Sequence, residues 1–365
     1  MFAVSIVLIY FGIKNESKMS GKIMVFIGLI IPCIMAGLRG MNVGSDTKGY
    51  VYNLYNNAKN IKHFSGMVSF SDWLYYSKDY AYLFITFVIA KLGLPFQVLL
   101  FVIECLIVFP IYYAIKINSK NNKEIIVGMS LFYLLLYNLS LNMVRQSIAI
   151  AFVILSFSIF INALGKRYVL KSVFLLLIGI FFHDTALSVI PLYLIYLLFN
   201  SNRIKPNHKQ IVFAGLITII IIMSIFYKQI LLVLGNSGIY PKALMYLNKY
   251  SVLDFNYMGT TRNALIIATV LINKKVFMKE EYRFVLLLGV LNIVLGLLGM
   301  MITYADRISY YALFILALLY IPKLLFKKNK ITLNGLVLLS FMVLNWIVVI
   351  LINNSNETLP YVLFR

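Results

Sequence analysis

Two apolar runs decide the fold class of this chain: IVFAGLITIIIIMSIF at residues 211–226 and TLNGLVLLSFMVLNWIVVILI at residues 332–352. Each is close to the length of about 20 residues that a helix needs to cross the hydrocarbon core of a bilayer. Lipid cannot satisfy backbone N–H and C=O groups, so a spanning segment must be a helix or part of a closed barrel. Neither run alternates as barrel strands do. Both are therefore predicted to be transmembrane helices.

Apolar segments of this kind recur from the first residue to Ile352, separated by short polar loops. The chain is 62% hydrophobic and only 12% charged, whereas soluble domains are about a quarter charged. The sequence predicts an all-α polytopic integral membrane protein with about 11–13 transmembrane helices, forming a single transmembrane domain over residues 1–365. Residues 39–79 form the longest polar loop, expected to be extracytoplasmic, and residues 235–262 form a second outward loop.

The first apolar segment, residues 1–13, is short for a membrane span. No basic region precedes it and no small-residue cleavage site follows it, as a signal peptide would require. It is therefore predicted to be the first helix.

The net charge of +21 is spread along the chain in small groups between the apolar runs. The basic loops carry Lys116, Lys120 and Lys123; Lys166, Arg167 and Lys171; Arg203, Lys205 and Lys209; Lys274, Lys275, Lys279 and Arg283; and Lys323, Lys327, Lys328 and Lys330. By the positive-inside rule these loops face the cytoplasm, and the turns poor in Lys between them face outward. The positive-inside rule accounts for the positive net charge, so the charge does not indicate that the protein binds nucleic acid.

Residues 80–115 conflict with this alternation. Two full crossings there would place the Lys116 loop outside, against its charge. The interpretation favoured here is a single crossing, with the other half re-entrant or interfacial, because Gly93 and Pro95 break the apolar run. Inverted early helices are the alternative.

Motifs of soluble enzymes, including nucleotide-binding loops, are absent from the sequence, as are Asp-x-Asp and paired cysteines. Cys33 and Cys105 lie within apolar segments and are expected to be packing residues, and no cofactor or metal is expected. Polar groups set in apolar helices are candidate functional sites because they are costly there. Four clusters are expected at outward helix ends, where they would converge: residues 38–50, 142–151, 180–187 and 303–311.

The cation at the centre of three clusters is arginine: Arg39, Arg145 and Arg307. Lys outnumbers Arg about threefold in the chain, so this choice is notable. The planar guanidinium matches phosphate or carboxylate oxygens, which suits a lipid pyrophosphate. A helix-end Arg also commonly extends to lipid headgroups, and that alternative stays open. Gln146 has a second interpretation as a helix-to-helix hydrogen-bond partner, and Tyr50 as an interfacial aromatic.

At these clusters the sequence resembles the EpsG family of Wzy-like exopolysaccharide polymerases. The resemblance rests on Arg39 followed by Gly44-Ser45-Asp46-Thr47 and Tyr50; on Arg145-Gln146-Ser147-Ile148-Ala149; on Phe182-His183; and on Arg307 before Tyr310-Tyr311. It extends from Arg39 to Tyr311.

The resemblance implies a metal-independent membrane glycosyltransferase, which joins oligosaccharide repeat units carried on undecaprenyl pyrophosphate at the outer face of a bacterial cytoplasmic membrane. Exopolysaccharide, capsule or O-antigen would be the product. Arg145 and Arg307, assisted by Arg39, would hold the pyrophosphate, with Gln146 and Tyr50 as further substrate-binding residues. His183 is the expected base by residue type, and Asp46 is the second candidate.

The expected partners are lipid-linked oligosaccharides and membrane lipids, together with a flippase and a chain-length regulator of the same pathway. Two rival functions stay open. A flippase for lipid-linked sugars would also need an outward basic cavity, although no internal repeat supports it. A membrane O-acyltransferase would use His183 to activate a hydroxyl.

Overall fold

The computed structural model describes residues 1–75, 79–162, 166–238, 244, 257–300, 305–327 and 330–364. Within these ranges the protein is almost entirely helical, which confirms the predicted all-α polytopic membrane fold. Eight described helices are long and apolar enough to cross a membrane: Met19–Gly37, Phe96–Asn118, Asn122–Asn142, Val144–Ile161, Pro206–Ile225, Lys279–Gly299, Asp306–Leu324 and Leu333–Ile352. Three shorter apolar helices accompany them: Phe2–Lys14, Tyr80–Lys91 and Asp184–Asn200.

The chain packs as two compact units, one of residues 1–187 with 342–365 and the other of residues 188–341. The helices of the first unit are α1 Phe2–Lys14, α2 Met19–Gly37, α3 Tyr52–Asn60, α4 Phe64–Tyr75, α5 Tyr80–Lys91, α6 Phe96–Asn118, α7 Asn122–Phe132, α8 Asn138–Asn142, α9 Val144–Ile161 and α10 Lys166–Phe182. Wide π-helical turns at Thr47–Val51 and Tyr133–Tyr137 lead into α3 and α8.

Helix α9 forms the centre of the first unit, packed between α6 and α10. Its residues 148–151 have no exposed surface. Small hydroxyl side chains join the helices: the Ser156 and Ser172 hydroxyls each donate to the other's carbonyl, at 2.7 and 3.0 Å, and Ser158 donates to Ala114 O at 2.8 Å. Lipid supplies little hydrophobic drive between helices, so such close polar contacts are a common means of association.

Residues 80–115, where the loop charges conflict with two full crossings, contain one short helix and most of one long helix. α5 has 12 residues, about 18 Å at 1.5 Å per residue, which is short of the roughly 30 Å hydrocarbon core. α6 has 23 residues and is long enough to cross. Gly93 adopts φ +68° in the turn between them. This arrangement favours a single crossing over residues 80–115.

The polar stretch 39–79 is largely helical where it is described, and it packs on the turn after α5. Tyr55 donates to Leu94 O at 2.5 Å, and Lys91 donates to Lys59 O at 2.9 Å. Residues 76–78 lie outside the described residues.

The C-terminal segment returns to the start of this stretch. Phe364 N donates to Leu38 O at 2.8 Å, Gly40 N to Val362 O at 2.6 Å, and Gly44 N to Glu357 O at 2.7 Å. Asn138 holds the same segment, since its amide donates to Thr358 Oγ1 and accepts from Trp346 Nε1, both at 3.0 Å. The loop bearing Arg39 and Asp46 is thereby fixed by backbone pairing.

The second unit holds α11 Ile190–Asn200, α12 Pro206–Ile225, α13 Tyr227–Asn236, α14 Tyr257–Ile272, α15 Lys279–Gly299, α16 Ala305–Ile315, α17 Ile321–Leu324 and most of α18 Leu333–Trp346. α15 packs on α14 and α16. A short antiparallel hairpin, β1 Phe326–Lys327 with β2 Lys330–Ile331, precedes α18. Most of the predicted second outward loop, residues 239–243 and 245–256, lies outside the described residues.

Candidate active site

The Gly44-Ser45-Asp46-Thr47 motif packs against the start of α9. Asp46 Oδ2 accepts hydrogen bonds from Val144 N at 3.2 Å and from the Tyr50 hydroxyl at 2.8 Å. A carboxylate at this position complements the positive end of the helix dipole. Asp46 is therefore held in place by the helix start, which favours an orienting role over that of a base.

Gly44 has a conformational reason for being glycine. Its φ is +81°, and a Cβ at this position would collide with the Leu141 carbonyl oxygen. Next to it, the Ser45 hydroxyl donates to Asn142 Oδ1 at 2.6 Å. Only a residue without a side chain lets the motif approach the α8–α9 junction this closely.

Arg145, in the first turn of α9, is held by two groups of the preceding polar stretch. Its Nη1 donates to Asp79 Oδ2 at 2.7 Å, and its guanidinium lies 4.3 Å from the centre of the Tyr50 ring. The Arg145 side chain is 18% exposed, and that of Asp79 is 8% exposed. Such a position differs from that of an Arg that extends to lipid headgroups, because the guanidinium is fixed by an ion pair and an aromatic face.

His183 follows the last residue of α10 and faces two carboxylates. Its Nδ1 lies 3.2 Å from Asp184 Oδ1 and 3.6 Å from Asp79 Oδ1, and the side chain is 17% exposed. Burial by itself would lower the pKa of His183, but Asp184 and Asp79 outweigh burial and raise that pKa above its usual value. Among the described residues, no group of three or more His, Cys, Asp or Glu is placed to hold a metal ion.

Asp79 thus joins Arg145 and His183, and sequence reasoning missed it. It immediately precedes the apolar run of α5 and is one of only 12 acidic residues in the chain. Those two features together were the available signal, because an acidic group at the edge of a membrane helix is costly unless it is paired.

Arg39 is placed differently from the expectation of a membrane-edge cation. It is 0% exposed, and its Nε donates to Thr47 Oγ1 at 3.3 Å. Burial lowers the pKa of Arg39, and the nearby Glu104 carboxylate opposes that shift. Glu104, on α6, is also 0% exposed and accepts from the Ser140 hydroxyl at 3.1 Å. Sequence reasoning also missed Glu104, which is a charged residue in the middle of an apolar run.

The remaining predicted site residues divide between the two units. Tyr50 is 8% exposed and Gln146 2% exposed, so both belong to the interior of the first unit. Arg307 belongs to α16 of the second unit, where the neighbouring Asp306 carboxylate accepts from the Tyr310 hydroxyl at 3.3 Å. The structure thus brings together the groups around Asp46, Arg145 and His183. The role of Arg307 stays a prediction. Thr303 and Tyr304 of that cluster lie outside the described residues.

Fold and site together define a multi-pass, all-α membrane protein with a buried cation, an ion pair and a histidine collected at helix ends. The chain belongs to the EpsG family, whose sequence pattern matches residues 22–363. This is a family of membrane proteins of polysaccharide biosynthesis, with polymerases among its activities. No curated protein and no solved structure matches the chain. The match covers all of these site residues, along with Glu357 and Val362 of the C-terminal segment.

Proposed function

We propose that this protein polymerises oligosaccharide repeat units carried on undecaprenyl pyrophosphate, at the outer face of a bacterial cytoplasmic membrane. The observation that carries the proposal is the Asp79 carboxylate shared by Arg145, at 2.7 Å, and His183, at 3.6 Å. One carboxylate thereby brings a guanidinium, which suits phosphate, close to an imidazole, which suits the role of a base. A glycosyl transfer with a pyrophosphate leaving group requires both.

The bond changes in this reaction are simple. The hydroxyl oxygen of the acceptor unit attacks the anomeric carbon of the growing chain, and a glycosidic C–O bond forms. The C–O bond to the lipid pyrophosphate breaks, and its electron pair leaves with the pyrophosphate. The hydroxyl proton passes to a base.

His183 fits the role of that base. Its Nδ1 faces Asp184 and Asp79, which favours a proton on Nδ1 and directs the lone pair of neutral imidazole to Nε2. Nε2 then accepts the acceptor's proton. The raised pKa makes His183 a stronger base, and it also requires a higher pH to keep the ring neutral.

Arg145 fits the role of a fixed cation at the leaving group. Its contacts with Asp79 and Tyr50 hold the guanidinium in one orientation, so little reorganisation is needed when charge develops on the pyrophosphate. The fork of a guanidinium carries five N–H donors, which suits two phosphate oxygens at once. Arg307 is proposed as a further phosphate-binding cation, on the strength of its family motif.

The test is a deletion strain complemented with variants and examined for its lipid-linked saccharides. Loss of a polymerase leaves single repeat units on the outer side, loss of a flippase keeps them inside, and loss of an acyltransferase leaves full-length polymer lacking acyl groups. His183→Gln is expected to remove most polymer while the protein stays in the membrane. Polymer of normal length from His183→Gln would refute the base role, and Asp46 would be tested next.

A further inference from the structure

Two buried donor groups beside the Arg145 cluster have unused hydrogen-bonding capacity. Arg39 is 0% exposed, and within the described part of the chain neither Nη1 nor Nη2 has a hydrogen-bond partner. Tyr82, on α5, is 1% exposed, and its hydroxyl likewise has no partner among the described residues. Thr86, one turn later, directs its hydroxyl to the Tyr82 carbonyl oxygen at 2.9 Å. A buried donor without a hydrogen-bond partner destabilises the fold by about 1–3 kcal/mol, so three such N–H or O–H groups in one region require an explanation.

The contacts connect these donors to the proposed pyrophosphate site. Arg39 donates to Thr47 on the π-helical turn Thr47–Val51, and the same turn carries Tyr50. The Tyr50 ring meets the Tyr82 ring edge to face, with centroids 6.1 Å apart, and its own face lies under the Arg145 guanidinium at 4.3 Å. Tyr50 therefore contacts both the Arg145 guanidinium and the ring of Tyr82.

We propose that Arg39 and the Tyr82 hydroxyl form an inner anion subsite, which binds one phosphate of the lipid pyrophosphate while Arg145 binds the other. The inference rests on the proposed function and adds Tyr82 to it as a binding residue. Pyrophosphate oxygens are acceptors only, and the unused groups of the subsite are donors, so their chemistries are complementary. The two phosphates of one ligand would explain why two arginines, Arg39 and Arg145, both contact the turn Thr47–Val51.

Entry to the subsite requires a change of conformation, because Arg39 and Tyr82 are buried in the state described. Tyr50 is the group whose displacement would connect them with Arg145. It lies on a π-helical turn, a widened turn that is frequent at functional sites. Its hydroxyl is held by Asp46 at 2.8 Å, so the GSDT motif would control this displacement.

Tyr82→Phe is the informative variant, because it removes only a hydroxyl that has no partner in the described structure. Its cost to folding is therefore expected to be nil. Tyr112→Phe is the matched control: Tyr112 is 2% exposed, and its hydroxyl also has no hydrogen-bond partner in the described ranges. Tyr112 lies near the opposite end of α6, toward the Lys116–Glu16 ion pair, outside the proposed subsite.

The experiment measures binding of inorganic pyrophosphate to the purified full-length protein in phosphatidylcholine nanodiscs, together with the thermal unfolding temperature of each variant. Tyr82→Phe is expected to weaken pyrophosphate binding about tenfold without lowering the unfolding temperature, since a hydrogen bond to a charged group is lost. Arg39→Lys should weaken it as well, and the double variant should lose less than the product of the two. Tyr112→Phe should bind like the parent protein.

Two outcomes separate this inference from the proposed function. A parent protein that binds no pyrophosphate refutes both. A parent that binds, with Tyr82→Phe binding equally well, refutes the inner subsite alone. Loss of pyrophosphate binding in phosphatidylglycerol nanodiscs, with binding kept in phosphatidylcholine, would assign the donors to a lipid headgroup and overturn the pyrophosphate form of the proposal.

Discussion

Nη1 of Arg145 donates to Oδ2 of Asp79 at 2.7 Å, while Oδ1 of the same carboxylate lies 3.6 Å from His183 Nδ1. The two residues of this ion pair come from different elements, since Asp79 precedes α5 and Arg145 opens α9. Asp79 therefore sets the orientation of the guanidinium and the protonation of the imidazole together. A substitution of Asp79 should therefore change both the orientation of the Arg145 guanidinium and the pKa of His183.

Replacing Asp79 tests this coupling. Asp79→Asn keeps the volume but leaves the largely buried Arg145 without its counter-charge, and it removes one of the two carboxylates that raise the pKa of His183. Polymer synthesis in membranes is expected to fall about tenfold or more. Glu281→Gln, on α15 of the second unit, is the control and should be silent. Equal polymer from parent and Asp79→Asn would remove Asp79 from the site.

The pH dependence of synthesis reports the carboxylates around His183. A base works when it is neutral, so a raised pKa makes the rate climb as the pH rises through that pKa. Asp184→Asn removes one source of the raised pKa, while Arg145 and Asp79 stay in place. The acidic limb of the rate profile should therefore move to lower pH, measured in proteoliposomes with purified lipid-linked units. An unmoved limb would assign the titration to another group.

The membrane path of α5 and α6 has its own test. Since α5 is about 18 Å long, only α6 should cross, and the loop at Asn121 should lie on the cytoplasmic side. Reporter fusions at Asn121 and Pro206 are expected to read cytoplasm, and a fusion near Asp184 is expected to read outside. An outside signal at Asn121 would mean that residues 80–115 cross twice.

The sequence predicts the helices well because a membrane span is a local property of about 20 residues. It also predicts that Arg145 and His183 belong together, since alternating loop charges place both at the same side. Asp79 was not predicted, because it lies 66 positions from Arg145 and no local period links them. Pairing of the C-terminal segment with residues 38–44 escaped notice for the same reason.

Arg39 shows the limit of composition as a guide. An Arg at the end of an apolar helix suggests a cation at the lipid headgroups, yet Arg39 is 0% exposed. The carboxylate that opposes the lowered pKa of Arg39 is Glu104, from the middle of α6, where a single acidic residue in an apolar run is easily overlooked. The cost of a buried charge requires such a partner, but only the packing identifies it.

Gly44 provides a test of the GSDT motif itself. At φ +81° an Ala side chain is strained by about 1–2 kcal/mol, and its Cβ would collide with the Leu141 carbonyl oxygen and push the motif away from the end of α8. Gly44→Ala should lower both the thermal unfolding temperature and polymer yield. Gly49 lies on the π-helical turn that follows the motif, with nothing within 4 Å of a Cβ placed there, so Gly49→Ala should change neither. If Gly44→Ala behaved like Gly49→Ala, close packing of the motif would be unimportant.

The arginines are tested by replacement with lysine. If Arg145 and Arg307 only supply charge, Lys serves equally well. If they bind a pyrophosphate through two N–H groups at once, Lys loses that geometry while keeping the charge. Loss of a preorganised donor costs ~3 kcal/mol in the transition state, roughly a hundredfold in rate. Arg145→Lys and Arg307→Lys should therefore each leave single lipid-linked units at near-normal protein levels.

Arg203→Lys, at an exposed position in a basic loop, should be silent. Polymer of parental length from both site variants would show that charge alone suffices, and the fork geometry would then have no part in the mechanism.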